Sequence, residues 1–164
     1  MKYAIVYSSQ TGNTKMLAET VRDALPADEC IYFGVPDDAA LKADRIYAGF
    51  WTDKGTCDEQ SVAFLKKLTA QEVYLFGTAG FGENQEYFDK VLRKAEKNIS
   101  KGVKIIGHFM CQGKMPQSVR QRYEKMQNGR VRIPGIQGLI ENFDKALSHP
   151  DSKDIDALRK NLQA

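Results

Sequence analysis

The sequence has little of what would mark a secreted, metal-bound or membrane-spanning chain. Its three cysteines, Cys30, Cys57 and Cys111, are odd in number and widely spaced, and no Cys-x-x-Cys pair occurs. That excludes a disulfide framework. With only two histidines, His108 and His149, a metal site is not expected. The longest apolar runs, such as Ile5–Tyr7 and Val73–Phe76, are strand-length, far short of the ~20 residues that span a bilayer. The N-terminal apolar piece is too short for a signal-peptide core, so a cytoplasmic location is expected and no membrane partner. The net charge of +3 is too small to argue for nucleic acid. The densest basic group, Arg120–Arg132, contains one aromatic residue, Tyr123, and reads as a solvated helix and loop.

What is present is an ordinary globular composition, 42% hydrophobic and 27% charged over 164 residues. This length suits one domain spanning residues 1–164, with 128–164 as a helical C-terminal extension packed on it. Strand-like and helix-like pieces alternate. Lys2–Tyr7, Glu29–Phe33, Arg45–Phe50, Glu72–Gly77 and Val103–Met110 read as strands. Thr14–Leu25 places Leu17, Ala18, Val21, Ala24 and Leu25 on one helical face. Gln60–Leu68 and the Phe88–Ile99 stretch repeat that pattern, and Gln117–Gln127, Ile136–Leu147 and Asp151–Leu162 are further helices. Trp51–Glu59 and Thr78–Asn84 read as loops. The alternation implies an α/β three-layer sandwich around a five-stranded parallel sheet, order 2-1-3-4-5. Ligands bind such sheets at the carboxyl ends of the strands, where loops start at Ser8, Trp51 and Thr78.

The sharpest signal is Ser8-Ser9-Gln10-Thr11-Gly12-Asn13-Thr14, which joins the first strand to the first helix. A turn there gathers backbone N–H groups where the helix dipole favours an anion. Ser9, Thr11 and Thr14 add hydroxyls, Gly12 allows close approach, and Asn13 adds an amide. The loop holds no lysine or arginine, and it lacks the Gly-Lys-Ser/Thr of a nucleoside-triphosphate loop. Gly80-Phe81-Gly82 lacks the third glycine of a dinucleotide fingerprint, because Gln85 takes its place. A phospho-receiver is disfavoured too, since Tyr7-Ser8 and Phe50-Trp51 stand where its acidic residues belong.

Ser9-Gln10-Thr11-Gly12-Asn13-Thr14 is similar to the phosphate loop of flavodoxins, and the resemblance extends over residues 1 to 127. It implies FMN, held by its phosphate on residues 9–14 and gripped at its ring by two further loops. The first contains Phe50, Trp51, Thr52, Asp53 and Gly55. Trp51 is the candidate for stacking on one ring face, and Gly55 for a peptide that flips on reduction. The second contains Thr78, Ala79, Gly80, Phe81, Gly82 and Asn84, with Phe81 on the opposite face. Members of the family often have tyrosine there, so Phe81 is a departure; Tyr87 is an alternative stacker. Classical flavodoxins are acidic, whereas this chain is slightly basic. With Lys54 and Lys114 expected near the flavin edge, the second reduction potential should be less negative.

The resemblance implies an electron carrier serving a partner reductase. Some flavodoxin-like proteins of anaerobes serve as accessory donors to reductases, tetrapyrrole reductases among them, and no residue here selects one. The alternative is an FMN-dependent NAD(P)H or quinone reductase. Cys57 and Cys111 are expected to be separate thiols, because strand ends two spacings (~10 Å) apart exceed the ~7 Å reach of a disulfide. The segment Cys111–Pro116 is a candidate partner surface.

Overall fold

A computed structural model describes residues 1–82 and 84–164. Five parallel strands carry the fold: β1 (Tyr3–Tyr7), β2 (Cys30–Gly34), β3 (Arg45–Asp53), β5 (Glu72–Ala79) and β6 (Lys104–Gln112). The remaining strand, β4 (Thr56–Cys57), is a short antiparallel appendage to β3. The sheet runs β2-β1-β3-β5-β6, which is the expected order of the five parallel strands.

Strand alternation sends side chains to two cores. Ala4, Val6, Ile46, Phe50 and Leu75 meet helices α2 (Glu59–Leu65) and α3 (Gln85–Glu96) through Phe64, Leu65, Val91 and Leu92. Tyr3, Ile5, Tyr47, Tyr74 and Phe76 meet helix α1 (Asn13–Ala24) and helix α6 (Ser152–Gln163) through Leu17, Val21 and Leu158. Each fully buried Phe or Leu stabilises such a core by about 1.5–3 kcal/mol. Helices α4 (Gln117–Gln127) and α5 (Ile136–Ala146) form a separate arm around Tyr123, Ile140 and Phe143.

Two sequence expectations need correction. Trp51–Glu59 is not a continuous loop: β3 continues through Asp53, Thr52 pairs with Cys57, and Asp53 pairs with Thr56. Lys54 (φ 52°) and Gly55 (φ 81°) both take the left-handed conformation that a two-residue type I′ hairpin needs. Likewise Thr78 and Ala79 belong to β5, held by their β6 partners Cys111 and Gln112. Cys57 and Cys111 therefore lie within strands. They also pack in opposite cores, one with α3 and one with α1, so they are separate thiols.

Candidate functional site

At the carboxyl ends of β1, β3 and β5 the structure opens a small cleft of about 50 Å³. Gln10, Thr11 and Asn13 line it from the β1–α1 loop, and Trp51 and Thr52 from β3. Thr78, Ala79 and Gly80 line it from the end of β5. The remaining wall is Gly113–Pro116, the link from β6 to α4.

The β1–α1 loop turns through Gly12, whose φ of 89° suits glycine. Ser9 Oγ accepts from the N–H groups of Gly12 (3.1 Å) and Lys15 (3.4 Å), closing the turn. Thr14 is fully buried, and its hydroxyl donates to the Phe50 carbonyl (3.2 Å) while lying 3.3 Å from Thr78 Oγ1. The phosphate-type loop is thereby tied to β3 and β5. The N-cap residue Gly12 has no side chain to cap α1, and the first turn holds no acidic residue. The N–H groups of Asn13 and Thr14, which Ser9 does not take up, point with the helix dipole toward an anion at the cleft. Asn13 is buried, and its Oδ1 has no partner among the described residues.

Trp51 is held by its backbone. Its N–H donates to Asp58 Oδ1 (3.3 Å), and its carbonyl accepts from the Asp58 N–H (3.1 Å). Asp58, itself buried, also caps α2 through Ser61. The Asp58 carboxylate adds to burial in pushing the adjacent Cys57 thiol up to about 11. Thr52 Oγ1 donates to the Thr78 carbonyl (2.8 Å), joining the two ring-side segments.

The Gly113–Pro116 segment, expected near the flavin edge as a partner surface, also forms a wall of the cleft itself. The Lys114 carbonyl accepts from Asn13 Nδ2 (2.8 Å) and Thr11 Oγ1 (3.2 Å), so this link is docked on the phosphate-type loop. Gly113 is required by that approach: a Cβ there would fall 2.5 Å from Asn13 Nδ2. Met115 packs against Gly80 at the other end of the cleft. The Gly80 carbonyl accepts from Gln112 Nε2 (2.9 Å) and Asn142 Nδ2 (3.1 Å), which couples the ring-side loop to α5. The signal available in the sequence was the Gly-Lys-Met-Pro run itself; nothing local pointed to Asn142.

Several predicted site residues stand outside the cleft wall. Ser9, Gly12 and Thr14 shape the loop from behind. Phe50 faces the core, 1% exposed, and reaches the site only through its carbonyl. Asp53 and Gly55 belong to the β3–β4 hairpin, whose turn lies near Lys94 of α3. Lys54 sits on that turn, while Lys114 is at the cleft. Phe81 is 44% exposed and packs edge-on against Tyr87, 6.0 Å between ring centres. Gly82 lies against the Gln112 side chain, and Asn84 caps α3 by accepting from the Tyr87 N–H (3.1 Å). Glu83, inside the expected loop, lies outside the described residues.

The residues present fit a phosphate-bearing, flat cofactor: neutral donors at a helix start, and an indole near the end of the neighbouring strand. A "Flavodoxin-like domain-containing protein BilS" of Clostridium symbiosum is 41% identical to this chain, covering 99% of it and 94% of the relative. The protein of that name from Clostridioides difficile is 32% identical over 94% of this chain and 90% of its own length. Among solved structures, the flavodoxin of Streptococcus pneumonia TIGR4 superposes with a TM-score of 0.62 at 17% identity, covering 99% of this chain and 96% of that one. Two-electron reduced Megasphaera elsdenii flavodoxin gives 0.51 at 25% identity, covering 88% and 99%. The flavodoxin domain model matches residues 4–163, so the chain belongs to the flavodoxin family, and its cofactor is FMN.

Proposed function

We propose that this chain binds FMN in the cleft between the β1–α1 loop, Trp51 and Thr78–Gly80, and passes electrons to a partner reductase. The observation that carries the reading is the β1–α1 loop, free of acidic residues and turning into α1 at Gly12, which opens on the same cleft as Trp51. Bound there, FMN supplies one- and two-electron chemistry, and the protein supplies binding, orientation and electrostatics.

Loop N–H groups other than that of Gly12, which Ser9 takes, and the Asn13 amide hold the phosphate without a cationic side chain. Thr11 and Asn13 can turn from the Lys114 carbonyl toward it, so the docked link keeps these donors in place beforehand. Trp51, clamped by Asp58, offers an indole face, and Gly80, clamped by Gln112 and Asn142, gives the ring edge a fixed backbone. Residues 1–164 work as one unit in this reading, because α5 supports the ring-side loop. Among the described residues no helix is long and apolar enough to cross a membrane. Three free thiols suit a reducing compartment, and we place the protein in the cytoplasm.

A second reading is an FMN-dependent NAD(P)H or quinone reductase. Phe81 favours it, since it stands beside Tyr87 instead of lining the cleft and leaves one side open to a second ligand. Anaerobic titration of FMN-reconstituted protein with dithionite, then with NADH and NADPH, separates the two. Reduction in one-electron stages without response to pyridine nucleotides is expected of the carrier. Direct two-electron bleaching by NADH or NADPH makes the chain an enzyme, and failure to retain FMN overturns both.

A further inference from the structure

The charge of this chain is strongly divided. Lys114–Arg132 contains six basic residues and one acidic, whereas the remainder has eighteen basic and twenty acidic. Arg120 is neutralised within the fold, donating to Asp144 and pairing with Glu124. Lys114, Arg122, Lys125, Arg130 and Arg132 are exposed and have no ion-pair partner among the described residues.

This segment starts at the cleft. Lys114 and Met115 form part of its wall, and α4 begins immediately after Pro116. Tyr123 is the sole buried residue of α4, so most of the helix faces outward. Beyond it, Val131 is 76% exposed between Arg130 and Arg132. Met126, Ile133 and Ile136 line a hollow of about 630 Å³ beside it. An apolar patch set in a charged rim, next to a redox site, has the composition of a protein-docking surface.

Resting on the electron-carrier reading above, we propose that the α4 arm and the loop after it dock an acidic redox protein over the cleft. The sign is set by the five free cations, which steer an acidic face toward the cofactor and repel a basic one. The apolar patch then gives the encounter its contact area.

The test uses two proteins of opposite charge as probes, a plant-type [2Fe–2S] ferredoxin (acidic) and cytochrome c (basic). In stopped flow, one electron leaves the reduced ferredoxin cluster and enters oxidised FMN-loaded protein. The rate is expected to fall about tenfold or more as salt rises from about 20 to 300 mM. R122Q/K125Q/R130Q/R132Q is expected to lose a similar factor at low salt. K66Q/K97Q/K101Q/K160Q removes equal charge from exposed positions at the far end of the sheet and is expected to keep the parent rate. Equal losses in the two variants overturn the proposal. So does a parent protein whose hydroquinone reacts with ferric cytochrome c faster at low salt than at high. Calorimetric binding of oxidised ferredoxin to the unaltered chain needs no flavin. It tests the surface even if FMN binding, and with it the reading above, fails; absence of salt-sensitive binding then overturns the docking proposal alone.

Discussion

Phe50 and Gly77 stand opposite each other in the β3–β5 ladder, and one position earlier Gly49 stands opposite Phe76. Each ring covers the glycine across from it, Phe50 on the α2–α3 side of the sheet and Phe76 on the α1–α6 side. A Cβ on Gly77 would lie 2.5 Å from Phe50 Cζ, and one on Gly49 would lie 2.3 Å from Phe76 Cε2. The interlock immediately precedes Trp51 and Thr78, so it sets where the two ring-side segments emerge.

Gly77→Ala therefore forces the Phe50 ring aside in a close-packed core, and overpacking of this kind costs about 1–3 kcal/mol. Urea unfolding should show that loss. Adding Phe50→Leu should restore part of it, since residues in direct contact are non-additive. A Gly77→Ala protein as stable as the parent would mean that Phe50 turns away freely.

Asn142 tests whether the C-terminal arm belongs to the site. Its amide donates to the Gly80 carbonyl, while its Oδ1 accepts from Gln112 Nε2 (3.2 Å). Asn142→Ala removes both bonds, each contributing about 0.5–1.5 kcal/mol. Fluorescence titration should show FMN bound several-fold more weakly. Gln137→Ala, at an exposed position of the same helix away from Gly80 and Gln112, should leave affinity unchanged. Equal affinity in the two variants would show that Gln112 alone fixes the loop.

These contacts mark the boundary of what the sequence reveals. The β1–α1 junction was legible because its signals are local: a β-branched strand, hydroxyl residues, a glycine and an amphipathic helix within 25 residues. The order of the parallel strands was legible from alternation and handedness. The β3–β4 hairpin was not, since Thr-Asp-Lys-Gly has loop composition and Lys54 is an uncommon residue at positive φ. Nor was the docking of Lys114 on Asn13, which closes over 101 residues of chain and depends on two backbones meeting at Gly113. Phe50 was read with the ring-side loop because it adjoins Trp51; strand alternation puts it in the core instead.

Thiol chemistry should separate the three cysteines. Burial, aided by the Asp58 charge, raises the Cys57 thiol to about 11, and burial raises Cys111 well above the ordinary thiol range. Thiolate is the reactive form, and both sulfurs are also shielded from reagent. Cys30 is only half-buried, with its S–H donating to the Tyr32 carbonyl (3.4 Å). A disulfide-exchange reagent near neutral pH should titrate one thiol rapidly in the native protein and three after denaturation. Cys30→Ser should abolish the rapid phase. Rapid labelling of two or more native thiols would contradict the packing of Cys57 and Cys111.

Acid should loosen the start of α6. Asp151 caps this helix by accepting from the Asp154 N–H (2.9 Å), and Asp154 Oδ2 accepts in return from the Asp151 N–H (2.8 Å). The Asp154 backbone bond, helped by nearby His149, holds the Asp151 carboxyl below the ordinary aspartate value of 3.8. A carboxyl with a depressed folded pKa favours folding above its unfolded value. That contribution disappears as pH falls through the folded value. The loss should therefore appear below 3.8, not near neutrality. Asp144, held down by Arg120, and Glu72, held down by Arg45, add to it with the same sign. Thermal melts should show Tm falling more steeply below about pH 4 for the parent than for Asp151→Asn, because asparagine keeps a cap without a titrating charge. Since the His149 carbonyl accepts from the Lys114 N–H (3.0 Å), weakening this cap also releases the link that holds Thr11 and Asn13. FMN should then dissociate over the same pH range in the parent and at lower pH in Asp151→Asn. Parallel Tm curves for the two proteins would show that the cap does not contribute to acid stability.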